Sequence, residues 1–148
     1  MNIRPRINRW TAARRRLLFS DAMLDSLVQP HFVVEGTGVD EPIQGMPGIH
    51  QQSVDVLLKT IAEDASYGLR AVMLFGVVAA HAKDAHATEA HNHGSHLHQA
   101  ITEIKSTFGD EVVVMTDVCL CTATDHGHCG LVHDGEVVND ASVEVLCN

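Results

Sequence analysis

The chain has 148 residues, a formal net charge of −9 at pH 7 and four cysteines. This length suits one hydrophobic core and leaves no room for a second domain. No apolar run is long enough to cross a bilayer and the first residues lack a secretory signal, so we predict a cytoplasmic protein without a membrane partner.

The charges are divided unevenly along the chain. The first 16 residues hold six arginines and no acidic residue, whereas the remainder sets four basic residues against all 19 acidic ones. Basic arms can bind nucleic acid, but this one has Trp10 as its single aromatic residue and no recognisable binding fold behind it. We therefore predict no nucleic-acid partner, and an arm that holds the acidic body of a neighbouring subunit.

The predicted elements begin with an extended arm that leads into a short helix, together covering residues 1–20. Residues 21–148 are expected to form one α/β domain. Its first strand is predicted over 27–35, followed by a loop rich in glycine and proline. A helix follows, which Ser53 is placed to cap and Gly68 to stop.

Apolar spacing predicts a second strand, a third strand and two further helices. The order is a strand over 71–77, a histidine-rich loop over 79–93, a helix ending before Gly109, a strand over 111–117 and a helix capped by Asn139 or Asp140. Such alternation of strand and helix indicates a parallel sheet with right-handed crossovers. The loops that follow the strands should then lie at one edge of that sheet.

The third strand runs into a cysteine motif with metal-ligand spacing. Cys119, Cys121 and Cys129 form a Cys-x-Cys-x7-Cys pattern, while Cys147 stands apart. In a reducing compartment this pattern indicates thiolate ligation of zinc rather than disulfides, although thiols without a ligand role are the alternative. Three thiolates leave a fourth tetrahedral position open, as in catalytic or exchangeable zinc sites.

Two histidines lie inside the cysteine motif. His126 or His128 could fill the fourth position, and a turn around Gly127 is an equal alternative.

The histidine-rich loop is a second candidate metal site. Six imidazoles fall within eighteen residues, namely His81, His86, His91, His93, His96 and His98. His91 and His93 can bind one ion from a loop, and His93 and His96 lie near a helix start. A second site for zinc, nickel or cobalt would weaken below about pH 6, because imidazoles bind metals when neutral. A solvated polar lid is the competing interpretation.

Ordered motifs extend over nearly the whole chain. They are Arg4-Pro5-Arg6, Phe32-Val33-Val34-Glu35-Gly36, Glu41-Pro42-Ile43, Met46-Pro47-Gly48, Leu74-Phe75-Gly76-Val77, Lys83-Asp84 and residues 117–130. Together they resemble the N-terminal part of the porphobilinogen synthase family, also called 5-aminolevulinate dehydratase. That family condenses two 5-aminolevulinate molecules into a pyrrole.

The resemblance implies a partial TIM barrel of about three β/α units with parallel strands and an N-terminal arm that wraps a partner subunit. It also implies a zinc ion held by Cys119, Cys121 and Cys129, and it matches Asp117 to an active-site aspartate. The family's Schiff-base lysines lie on later strands that have no counterpart here. Lys83 matches a lid residue of the family instead.

The sequence also departs from the family pattern. Ala123 and Asp125 replace an aromatic residue and a serine, and the loop after the second strand has gained histidines. Because the cysteines are kept, the first hypothesis is a zinc-binding protein of tetrapyrrole or cobalamin metabolism without synthase activity, with a sensing, delivery or regulatory role. The second is porphobilinogen synthesis with missing groups supplied by another chain. A piece of a longer enzyme is the third.

A partial barrel poses a packing problem of its own. Three strands leave two open edges and an apolar face that three helices on one side cannot cover, and such surfaces drive association. We therefore predict a homo-oligomer, most simply a twofold dimer in which two partial sheets face each other. A full-length synthase is a further candidate partner.

Overall fold

The computed structural model describes residues 6–147, so Arg4 and Pro5 of the arm motif lie outside the described residues. The first helix, α1 (Ala12–Phe19), is preceded by a short 3-10 turn, Ile7–Arg9, where extended chain was predicted. Its start is fixed by Thr11, whose hydroxyl accepts a hydrogen bond from the Arg14 backbone N–H at 3.2 Å. This bond satisfies one of the free N–H groups of the first turn.

The remaining elements follow the predicted alternation with several additions. They are β1 (Gln29–Val33), β2 (Asp40–Pro42), β3 (His50–Gln52), α2 (Val54–Ser66), β4 (Ala71–Gly76), α3 (His96–Phe108), β5 (Val113–Thr116), β6 (Val132–His133), β7 (Glu136–Val137) and α4 (Asn139–Leu146). None of the helices in the described part of the chain is long and apolar enough to span a bilayer.

The main sheet has the order β2-β3-β1-β4-β5. The pairs β3–β1, β1–β4 and β4–β5 are parallel, and only β2 runs antiparallel to its neighbour. The prediction of an α/β fold with a mostly parallel sheet is therefore confirmed. The strands β2 and β3 were expected to be loop, because each has three residues and no apolar alternation that would indicate a strand.

A second, small sheet was also not predicted. The hairpin of β6 and β7 turns at Asp134 and Gly135, both of which have positive φ angles. Asp-Gly is a favoured pair for such two-residue turns, so the sequence did carry a signal for this hairpin.

Two expected helix caps differ from the structure. Ser53 does precede α2, but its hydroxyl accepts the Val39 N–H at 2.9 Å and donates to Asp55 at 2.6 Å. It therefore ties the preceding loop to the helix instead of capping the first turn. Asn139 is the first residue of α4 and Val138 precedes it, so neither Asn139 nor Asp140 occupies the capping position.

The hydrophobic core lies between the sheet and the pair α2 and α3. Its fully buried members come from both helices and from the central strands: Val33, Leu57, Ile61, Leu74, Ala100 and Ile104. Apolar side chains at helical spacing on α2 and α3 meet those that alternate along β1 and β4. This packing fixes where the loops after β4 and β5 emerge.

The opposite face of the sheet is covered only in part. Ala13 and Leu17 of α1 pack against Ala71 and Val113 at the amino ends of the strands. Further along, the rings of Phe32 and Phe75 stack with centroids 5.3 Å apart, and both side chains remain half-buried. Val72, Leu74 and Val112 are buried on the helix side.

We expect Leu74→Ala to lower the free energy of unfolding by about 2–5 kcal/mol, because it leaves a cavity in the core. Urea unfolding followed by circular dichroism measures this change. Leu18→Ala makes the same chemical change at a side chain that is 49% exposed and should alter stability by less than about 0.5 kcal/mol. Equal losses in the two variants would contradict this description of the core.

Candidate metal centre

The loops that follow β4 and β5 meet at the carboxyl edge of the sheet, as the parallel arrangement requires. The Asp84 backbone N–H donates to the Ala123 carbonyl at 3.2 Å, and the Asp125 N–H donates to the Asp84 carbonyl at 3.2 Å. The cysteine loop and the histidine-rich loop are thus joined by backbone hydrogen bonds.

A tight turn sets the position of the first two cysteines. The N–H groups of Ala123 and Thr124 donate to the Leu120 carbonyl at 2.9 and 3.0 Å. Leu120 and Ala123 are buried, where they pack with Ala87. The apolar side chain between Cys119 and Cys121 therefore anchors the turn and leaves both thiols only partly buried.

The third cysteine is brought back by a second set of contacts. The buried Thr124 hydroxyl donates to the His128 carbonyl at 2.9 Å, which closes the loop. Gly130 then packs so closely that a Cβ atom there would lie 2.6 Å from Ser142 Oγ and 2.7 Å from Val137 Cγ1. The hairpin and α4 therefore hold the backbone next to Cys129.

Ser142 completes this support. Its hydroxyl accepts the Leu131 N–H at 2.9 Å and donates to the Val138 carbonyl. Neither Thr124 nor Ser142 was identified from the sequence, because an isolated small polar residue carries no periodic signal.

The three thiols converge on one point. The Sγ atoms of Cys119, Cys121 and Cys129 all lie within 4.8 Å of one another, with 3.2 Å between the first two. In a tetrahedral site with Zn–S bonds of about 2.3 Å, sulfur atoms are about 3.8 Å apart, which lies inside this range. Soft thiolate donors also favour zinc over magnesium or calcium. The donor set therefore fits a zinc ion.

The thiols differ in acidity. A hydrogen bond from the Cys121 backbone N–H lowers the pKa of Cys119, and the side chain of Cys119 in turn raises the pKa of Cys121 to about 11. It raises the pKa of Cys129 as well. Cys119 is thus the readiest thiolate, and binding of a cation to all three sulfurs would release protons.

The two histidines of the motif lie outside this set. His126 and His128 are exposed, and the His128 N–H donates to His126 Nδ1 at 3.1 Å. Across residues 6–147, only the three cysteines form a group of at least three metal-binding side chains with donor atoms within 4.8 Å. The local geometry therefore favours a turn around Gly127, which has a positive φ angle.

His96, the first residue of α3, contributes a ring to the cleft beside the cysteines. This cleft of about 80 Å³ is lined by His96 and Glu89 together with Phe75, Asp117 and Cys119. Burial lowers the pKa of His96, which keeps the ring neutral at physiological pH. The cleft thus combines two carboxylates, a thiol and a neutral imidazole at the edge of the sheet.

The other histidines of this cluster are spread over the loop and the first turn of α3. His86 is exposed, His93 packs edge-on against His98 with centroids 5.2 Å apart, and His98 Nδ1 contacts Ser95 Oγ at 3.0 Å. His91 is half-buried at the end of a 3-10 turn. In the described residues no three of these histidines bring their ring nitrogen atoms within 4.8 Å of one another, so a second metal site here stays a prediction.

Comparison with known proteins places the chain among related sequences. The family model "Delta-aminolevulinic acid dehydratase" matches residues 2–148. Curated relatives of that name from Halalkalibacterium halodurans and Bacillus subtilis are 40% and 43% identical, over 93% and 89% of this chain. The aligned part is 42% and 43% of those relatives, so the chain spans about two fifths of their length.

A solved structure of a protein with the same name has a similar fold. The crystal structure of delta-aminolevulinic acid dehydratase (porphobilinogen synthase) from Toxoplasma gondii, in complex with the reaction product porphobilinogen, superposes with a TM-score of 0.81 and 37% identity. The match covers 99% of this chain and 42% of that chain.

Gly130→Ala should weaken zinc binding by about tenfold or more, as loss of supporting groups around a metal does, because a Cβ atom there collides with Ser142 and Val137 and so moves either these residues or the backbone next to Cys129. Competition with a chromophoric chelator measures the affinity. Gly94→Ala is the matched control, since Gly94 is exposed and lacks a positive φ angle. Unchanged affinity in Gly130→Ala would contradict the supporting role of the hairpin and α4.

Proposed function

The chain belongs to the delta-aminolevulinic acid dehydratase family, and on this basis we propose that it binds zinc through Cys119, Cys121 and Cys129 in tetrapyrrole metabolism. The convergence of the three sulfur atoms is the observation that carries this proposal. A zinc ion with three protein ligands supplies a Lewis acid and an open coordination position. Asp117 lines the cleft beside Cys119, where its carboxylate is available to contact a bound molecule.

We infer that the chain by itself binds metal without condensing 5-aminolevulinate. A Schiff base requires an amine at the reacting carbonyl, and in the described part of the chain no lysine lines the cleft beside Cys119. Lys59 and Lys105 are exposed on α2 and α3, and Lys83 lies in the loop after β4. The function proposed for the chain by itself is therefore metal binding through its cysteines, with a sensing, delivery or regulatory role.

The second candidate function is porphobilinogen synthesis by an assembly in which another chain supplies the missing groups. It is favoured by the half-buried aromatic pair of Phe32 and Phe75 on the uncovered face and by the free edge of β5. In this case the remaining strands of a barrel would supply the amines while this chain supplies the cysteines and Asp117. Because the chain spans about two fifths of its curated relatives, this candidate concerns the activity of an assembly.

The same uncovered face supports a proposed homo-oligomer. Two copies that place their Phe32 and Phe75 rings against each other would remove apolar area from water. Arg14 and Arg15 donate to backbone carbonyls of Ile7 and Arg9 at 3.1 and 2.8 Å, so these two side chains organise the arm itself. A twofold dimer is the simplest assembly, with a full-length synthase as an alternative partner in the cytoplasm.

The purified chain should hold one zinc ion per chain, and it should lose that ion when Cys119, Cys121 and Cys129 are all replaced by serine. Elemental analysis with a protein assay gives the stoichiometry. Cys147→Ser is the matched control, because Cys147 is exposed and lies outside the sulfur cluster. Zinc retained by the triple variant would contradict the cysteine site and favour the histidine-rich loop.

The zinc-supplied chain should form no porphobilinogen from 5-aminolevulinate, because none of the lysines in the described residues lines its cleft. A colorimetric assay for porphobilinogen measures this, with a full-length relative as the positive control. If the chain did form porphobilinogen, and if Cys119→Ala abolished that activity, metal binding without synthesis would be contradicted. Synthase activity that uses the cysteine site would then be favoured.

A further inference from the structure

A polar cleft of about 320 Å³ lies at the amino ends of the parallel strands, between β1, β3 and α2. The cysteine loop follows the carboxyl end of β5, so the two sites are on opposite edges of the sheet. The side chains that give the cleft its chemistry are His31, Asp40, His50, Gln52, Thr60 and Asp64. Among residues 6–147, those that line the cleft include two aspartates and no lysine or arginine.

The most unusual member is His31. It lies on β1 with only 6% of its surface exposed, and its Nε2 atom has no hydrogen-bond partner. The closest charged atom is Asp64 Oδ2 at 3.7 Å, which is beyond hydrogen-bond distance. A buried polar atom without a partner is costly, so its presence calls for a ligand or another explanation.

The surroundings of His31 favour a cation. Burial lowers the pKa of His31 to about 4, so the ring is neutral at physiological pH and can offer a lone pair. Asp64 is a quarter exposed, so its carboxylate can be reached from the cleft, whereas His31 Nε2 itself is buried. Asp40 is already oriented by His50 Nδ1 at 2.8 Å and by Gln52 Nε2 at 3.1 Å.

We propose that this cleft binds a divalent transition-metal ion between His31 Nε2 and the Asp64 carboxylate, with water as the remaining ligands. Two atoms that are 3.7 Å apart and each about 2.1 Å from an ion subtend an angle of about 120° at it, which is near the tetrahedral value. Imidazole nitrogen suits zinc and nickel, and zinc also accepts carboxylate oxygen as a ligand.

Nickel titration of the full chain, followed by NMR of the imidazole groups, tests this site. The chain is first given one equivalent of Zn²⁺, and the broadening of each histidine resonance by paramagnetic Ni²⁺ is then recorded. His31 should broaden at a lower Ni²⁺ concentration than His50 or the histidines of the loop after β4. Because each resonance reports on one residue, the result does not depend on whether the cysteines bind zinc.

Two variants separate ligation from a general charge effect. Asp64→Asn should raise the Ni²⁺ concentration needed to broaden His31 by about tenfold or more, as expected when a group at a metal is lost. Glu63→Gln makes the same charge change on the exposed side of α2 and should leave that concentration unchanged. The proposal is overturned if His31 of the unmodified chain responds last, or if the two variants behave alike.

Discussion

The backbone of Asp84 joins the two loops on which the candidate metal centre depends. Its N–H and C=O groups are both paired with the cysteine loop, at Ala123 and Asp125. Its carboxylate accepts the N–H groups of His86 and Thr88 at 2.8 and 3.1 Å, and its hydrogen bonding to Thr88 is the main reason that its pKa is lowered. One residue thus orders the start of the histidine-rich loop and fixes the cysteine loop beside it.

The positions of the thiols are set by buried residues of the loop and not by contacts between the sulfur atoms. Leu120 and Ala123 are buried under the loop, and the Thr124 hydroxyl closes it from inside. The sulfur atoms are therefore close together because apolar burial and backbone hydrogen bonds set the loop's path. A loop ordered in this way limits the conformational entropy that is lost when a ligand binds.

The sequence predicted the features that depend on periodicity or on spacing within one segment. The alternation of apolar residues in β4 and α3 and the spacing of Cys119 and Cys121 are of this kind. It did not predict β2 and β3, whose three-residue strands are too short for a pattern, or the role of Ser142, which depends on a contact with distant residues. The histidines show the same limit, because close spacing along the chain does not bring their rings together when 3-10 turns separate them.

The support of Cys129 has a consequence for exchange kinetics. Cys119 and Cys121 flank the buried Leu120, whereas Cys129 is exposed and is held through Gly130 by a hairpin of two-residue strands and by the last helix. Peripheral elements of this size open locally with far less free energy than the core requires. During release, a bound ion would therefore first lose Cys129 and remain attached to Cys119 and Cys121. An acceptor protein or chelator could then bind the ion in the position that Cys129 has left. Release of the metal would then be governed by the opening of α4 and its hairpin rather than by unfolding of the sheet.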